Sequence, residues 1–228
     1  MKQGGDSFAR RRREWLRRAL LGGAALPLLL RDGLAARERP SGMVSIKGDV
    51  LINGGATRTG ALVRPGDSVV TAPGGSAVFV VGSDAFLLRE ASELLSSGGE
   101  VLIASLRLVT GKLLSVFGRG PRLITTPTAT IGIRGTGIYI EAGIERSYVC
   151  TCYGVVDLQA SNMPEARETV RANHHDAPRY IYAHGEMPIK MIEQAPVVNH
   201  TDAELIMLEA LVGREPPFIG AKGRRSNY

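Results

Sequence analysis

Aromatic residues are scarce, at 5% of the 228-residue chain, and cysteine occurs only twice. No run of eighteen apolar residues occurs, which excludes an ordinary membrane-spanning helix. No 10–15-residue helical pattern alternates with strand-like runs, which excludes a Rossmann or other α/β plan. A Walker loop, a GxSxG elbow, an HExxH zinc helix and an EF-hand loop are absent. A GxGxxG fingerprint leading from strand to helix is absent too. Positive charge is also missing from most of the chain, despite a net charge of +6. Residues 1–36 hold eight Lys/Arg against three acids, a net +5, and the remainder is nearly neutral. A nucleic-acid footprint is therefore not expected. Glycine is plentiful instead, at 28 residues, as tight turns and strands require.

The basic start reads as an address. RRRREWLRR at 10–18 precedes the apolar stretch ALLGGAALPLLL at 19–30, too short to span comfortably. Arg12-Arg13-Glu14-Trp15-Leu16-Arg17 resembles the twin-arginine export motif, with Trp15 in the Phe position and Arg17 in the Lys position. Arg11 departs from the usual Ser or Thr. The resemblance implies export of a folded protein to the periplasm or cell envelope, with Arg12, Arg13, Trp15 and Leu16 as the export motif. Membrane contact is expected through this segment before cleavage, near Gly33-Leu34-Ala35-Ala36. The alternative is a basic amphipathic helix lying on a membrane.

From 43 to 158 the chain alternates apolar and polar residues in short runs broken by Gly, Pro, Asn and Asp. Asn53-Gly54-Gly55, Arg64-Pro65-Gly66-Asp67 and Gly82-Ser83-Asp84 are turn signals. Thr110-Gly111 divides LRLVTGKLLSVF, Gly154 divides RSYVCTCYGVVDLQA, and Gly135-Thr136-Gly137 marks a bend or bulge. The expected fold is all-β: short antiparallel strands in a β-sandwich or β-roll, plus one C-terminal amphipathic helix.

GALVRPGDSVVTAPGGSAVFVVGSDAFLLREASEL resembles the first half of a FecR domain, the extracytoplasmic β-domain of iron-uptake regulatory proteins. Gly66-Asp67 and Thr71 occupy its spaced positions. LRLVTGKLLSVF and TPTATIGIRGTGIYIE are similar to its second half, including Thr126-Pro127 and the signature Arg134-Gly135-Thr136. The resemblance covers about 42–160 and implies a β-domain in the envelope. Only about ten residues precede the arginines, so the sigma-factor-binding cytoplasmic segment of the family's regulators is expected to be absent. Arg134 is expected to tie a bend to carbonyls or a carboxylate; binding of an anionic ligand is the alternative.

Residues 161–200 form a β extension with strands expected at 168–172, 179–183 and 188–193. Asn173-His174-His175-Asp176-Ala177-Pro178 makes a loop. A helix is expected over 201–213. Thr201 and Glu204 form a capping box, Leu205, Leu208, Leu211 and Val212 share a face, and Gly213 stops it. It packs on the β-domain or docks a partner. The tail 214–228, rich in Pro, Gly and basic residues, is expected to be mobile.

YVCTCYG holds both cysteines. On a strand, Cys150 and Cys152 share a face with α-carbons about 6.6 Å apart, near the limit for a bridge. A disulfide there would close only a tiny loop. Two thiolates on one face suit zinc or copper(I), and His174 and His175 are the natural further ligands. A redox couple and two inert core thiols remain open. The leading expectation is a non-catalytic envelope binding or sensing module, metal-responsive, with an envelope protein as partner. A thiol- or metal-dependent redox protein and a structural module without ligand are the alternatives.

Overall fold

The computed structural model describes residues 42–99, 102–184 and 191–219. The export segment, with Arg12, Arg13, Trp15 and Leu16, lies outside them. Fourteen strands and one helix are present among the described residues. The strands are β1 (Gly42–Lys47), β2 (Val50–Ile52), β3 (Gly55–Ala56), β4 (Ser68–Thr71), β5 (Ser76–Val81), β6 (Asp84–Leu88) and β7 (Ser92–Gly98). There follow β8 (Ile103–Val116), β9 (Pro121–Thr125), β10 (Ala129–Ala142), β11 (Arg146–Ala160), β12 (Met163–Ala172), β13 (Ala177–Tyr182) and β14 (Ile192–Gln194). The helix is α1 (Asp202–Leu211).

The expected all-β architecture is present, with a difference in strand length. β8 and β11 run 14 and 15 residues, where Gly111 and Gly154 suggested pairs of short runs, and β10 runs 14 residues through the bend or bulge expected at Gly135-Thr136-Gly137. Gly111, Gly135 and Gly154 have φ of +90°, +60° and +96°, and bend these strands instead of ending them. Each bent strand changes neighbours at its bend. β8 pairs β7 before Gly111 and β6 after it. β10 exchanges β9 for β8 across a bulge between Arg134 and Gly137. β11 exchanges β13 for β12.

Two layers result, sharing the three long strands. One runs β1-β5-β6-β8-β10-β11-β13-β14. The other runs β3-β2-β4-β7-β8-β9-β10-β11-β12. All pairings are antiparallel except β8–β9, which is parallel because the chain crosses between layers before β9 begins. Phe79, Phe86, Leu113, Ile138 and Val149 of the first layer meet Val69, Leu94, Ile124, Ile131 and Leu158 of the second in the main core.

The first layer is apolar on both faces. Its outer side presents Val78, Val80, Ala85, Leu87, Leu114, Val116 and Tyr139, covered by Leu205, Leu208, Val212 and Phe218. Burial of each large apolar chain contributes about 1.5–3 kcal/mol, so α1 is anchored along its length. Thr201 caps it as the sequence indicated: its hydroxyl accepts from the Glu204 N–H, and Glu204 accepts from the Thr201 N–H. The segment after Gly213 differs from the expected mobile tail over 214–219. Arg214 ion-pairs with the buried Glu209 and donates to the Ser83 carbonyl, and Phe218 is buried. One apolar side chain and one ion pair therefore hold a stretch whose composition suggested mobility.

Candidate metal centre

β11 carries Cys150 and Cys152 on its outer face, beneath the start of α1. Both are fully buried free thiols. Thr151 points the opposite way by strand alternation, and it too is buried. Strand geometry thus sets the two sulfurs side by side.

The imidazoles come from two other places. The β12–β13 loop returns beside Cys152, where the His175 N–H donates to the Cys152 carbonyl at 2.9 Å. His175 has a left-handed φ of +51°, uncommon for a non-glycine residue, and this turns its ring inward. His200 immediately precedes the helix cap and is itself buried. The preceding residue, Asn199, is also left-handed, with φ of +60°. Tyr139 stacks on the His200 ring with centroids 4.6 Å apart, holding it over the thiols.

Cys150, Cys152, His175 and His200 place one ligand atom each within 4.8 Å of all the others. Cys150 Sγ lies 3.8 Å from His175 Nδ1, and His175 Nδ1 lies 2.8 Å from His200 Nε2. Ligands of a tetrahedral zinc ion would stand about 3.3 Å (N to N) and about 3.5 Å (N to S) apart. An ion of that size therefore needs the two facing nitrogens to separate by about 0.5 Å and Cys150 to close on His175 by about 0.3 Å.

The outer ring nitrogens are committed elsewhere. His175 Nε2 meets Asp202 Oδ1 at 3.0 Å and His200 Nδ1 meets the Val198 carbonyl at 2.7 Å. A carboxylate and a carbonyl only accept, so both of these nitrogens carry the proton. A neutral imidazole has one N–H. With both rings neutral, His175 Nδ1 and His200 Nε2 are two lone pairs facing each other. Such an arrangement is repulsive unless a cation, a proton or a metal ion, lies between them. A carboxylate and a backbone carbonyl behind the rings are the supports that metal-bound histidines use.

The thiols are strongly unequal. The contact with Cys152 pulls the Cys150 thiol down to about 4 against the effect of burial, and His175 and His200 add to it. Burial pushes Cys152 upward, and the neighbouring Cys150 reinforces the shift. The pair gives up one proton readily and holds the second, as expected of two thiols sharing a site.

His174, expected among the ligands, is not in this group. Its Nε2 meets Asp202 Oδ1 at 2.7 Å at the rim, and its ring stacks on Phe218. His174, His175 and Asp202 form a second, partly exposed cluster. The reason is local: one left-handed residue turns His175 inward and leaves its predecessor facing out. His200, not His174, lies with His175 beside the thiols. Its proximity to a capping box was the only sequence clue. His184 belongs to neither cluster and is exposed.

Arg134 lies at the β10 bulge, where its guanidinium meets Asp157 at 3.2 Å with both side chains largely exposed. An ion pair so placed is worth little. Gly135 is left-handed and Thr136 is fully buried, its hydroxyl donating to the Val155 carbonyl. The buried charge near this bend is Arg122, paired with Asp84 at 3.0 Å; neither was evident from the sequence.

Fold and cluster together define an all-β protein with a helix laid over one sheet face. Two thiols and two imidazoles converge at the start of that helix. No protein-family profile matches the chain, and no curated protein does. Two crystal structures of a "putative anti-sigma factor" from Parabacteroides distasonis, at 1.65 and 2.50 Å resolution, are similar in fold. Each shares 14% identity and a TM-score of 0.45, over 56% of this chain and 58% of the other. The chain thus spans a little over half the length of those proteins.

Proposed function

We propose that this protein is an exported, non-catalytic FecR-like binding and sensing module of the cell envelope that holds one zinc or copper(I) ion. The ligands are Cys150, Cys152, His175 and His200. The observation that carries the metal reading is the pair of facing ring nitrogens of His175 and His200, beside two convergent thiols. Four soft or borderline ligands in a mostly buried set suit a d10 ion held for structure or sensing rather than one that activates water. The family signature Arg134-Gly135-Thr136 and the apolar, arginine-led start support the envelope assignment. An envelope protein is the class of partner that would receive the signal.

Elemental analysis of protein purified under reducing conditions tests the reading. One zinc or copper per chain is expected, lost in Cys150→Ser and His200→Ala and kept in His174→Ala. Metal-free protein that also fails to take up added zinc or copper(I) overturns it.

A further inference from the structure

The four ligands belong to two separately packed parts of the molecule. Cys150 and Cys152 sit in the middle of β11, and His175 is tied to the same strand through the Cys152 carbonyl. His200 belongs instead to the segment that launches α1, one residue before the cap Thr201. Asp202, the first residue of α1, supports His175 from the helix side. Every connection between His200 and the sheet ligands therefore crosses the seam between α1 and the outer sheet face.

Without a cation, that seam is frustrated at one point, where His175 Nδ1 and His200 Nε2 face each other at 2.8 Å. The rest of the seam is complementary. Leu205, Leu208 and Val212 are fully buried, Arg89 bonds Glu204 and the Asn199 carbonyl, and Tyr148 bonds the Pro196 carbonyl and the Val198 N–H. Two left-handed non-glycine residues, His175 and Asn199, hold the two rings in place from opposite sides of the seam.

From this we infer that the metal ion is a clasp: it joins the sheet to the start of α1, and its occupancy sets how firmly that helix is docked. The inference rests on the metal reading above and adds to it the regulation of the same site. Linkage makes the coupling reciprocal. If metal tightens the helix, a docked helix must tighten metal by the same factor, because docking delivers His200. A sensing role then has a physical output, namely the stability of one amphipathic helix on an otherwise apolar sheet face.

The test uses the full chain with zinc as probe. Zinc affinity is measured by competition with a chelating dye in the wild type, Leu208→Ala and Val69→Ala. Amide hydrogen exchange over 199–212 is followed with and without zinc. Leu208 is not itself a ligand and is buried on the sheet-facing side of α1, whereas Val69 is buried in the main core on β4. The clasp predicts that zinc slows exchange over 199–206 by about tenfold or more, with β5 and β6 unchanged. It also predicts that Leu208→Ala weakens zinc several-fold while Val69→Ala leaves it unaltered. Stoichiometric zinc with unchanged exchange in α1, and equal affinities in the two variants, overturns the clasp and leaves the metal centre standing. Absence of bound zinc in the wild type removes both. If Leu208→Ala does not fold, Leu205→Ala substitutes for it, since Leu205 is buried in the same seam.

Discussion

At the scale of single residues, adjacent histidines have separate fates. His175 is carried inward by a left-handed backbone and His174 stays at the rim, 42% exposed. His200→Ala should lower zinc affinity by at least about 100-fold, whereas His174→Ala should change it by less than about tenfold, as for a supporting residue. Dye-competition titration of both variants checks this, and equal losses would contradict the assignment of His200. Asp84 and Arg122 make a second residue-scale case. Their side chains are 0% and 6% exposed, and Asp84 also accepts the Gly118 N–H. Removing one partner of a buried pair strands the other charge. Asp84→Ala should therefore cost about 3–5 kcal/mol in urea unfolding. A loss below about 1 kcal/mol would mean that water already reaches Arg122. No spacing rule points from Asp84 to Arg122, because the pair forms only when the start of β6 meets the start of β9.

Elements depend on their glycines. Gly154 sits where β11 passes from β13 to β12 with φ of +96°, and an added Cβ would lie 2.9 Å from Thr136 Oγ1. Gly154→Ala therefore meets both a disfavoured backbone and a packed neighbour, and should destabilise by more than about 1 kcal/mol. A thermal melt of the variant checks this; an unchanged midpoint would show that the bend relaxes freely. Such glycines are legible as interruptions, but their meaning is ambiguous in one dimension. A left-handed glycine closes a hairpin when the chain reverses and bends a long strand when pairing continues. The available partners decide which. Helix α1 was more readable, since its capping box and apolar spacing are local. Thr201→Ala should cost about 0.5–2 kcal/mol.

At the scale of the whole molecule, the proposed metal site would link metal, proton and fold. Binding requires neutral imidazoles and deprotonated thiols, so protons compete with the ion. Burial acts to lower the pKa of His175, but Cys150 and Asp202 outweigh it and the net shift is upward. Zinc affinity should therefore fall as pH is lowered, beginning above the ordinary histidine range. The loss should be about tenfold per pH unit for each proton displaced. Titrations across pH 8 to 5 would show this slope; a flat profile would place the ion elsewhere. Saturation with zinc at about 100 times its dissociation constant should stabilise the fold by about 2.7 kcal/mol. Export is tested independently by a reporter fused after Ala36, with Arg12→Lys/Arg13→Lys expected to abolish it.

The all-β class, the capped C-terminal helix and the shared face of Cys150 and Cys152 were determined by the sequence alone. Each depends on local spacing: period two on strands, 3.6 on helices, and hydroxyl and carboxylate three residues apart at a cap. Three other features were decided only by the tertiary structure. These are the passage of three long strands between two layers, the burial of Asp84 with Arg122, and the approach of His200 rather than His174 to the thiols. Each depends on groups distant in the chain, up to the 50 residues between Cys150 and His200. Their convergence follows from which apolar faces must be covered. The outer face of the first layer needs a lid, α1 supplies it, and His200 arrives at the thiols because it stands at the start of that lid.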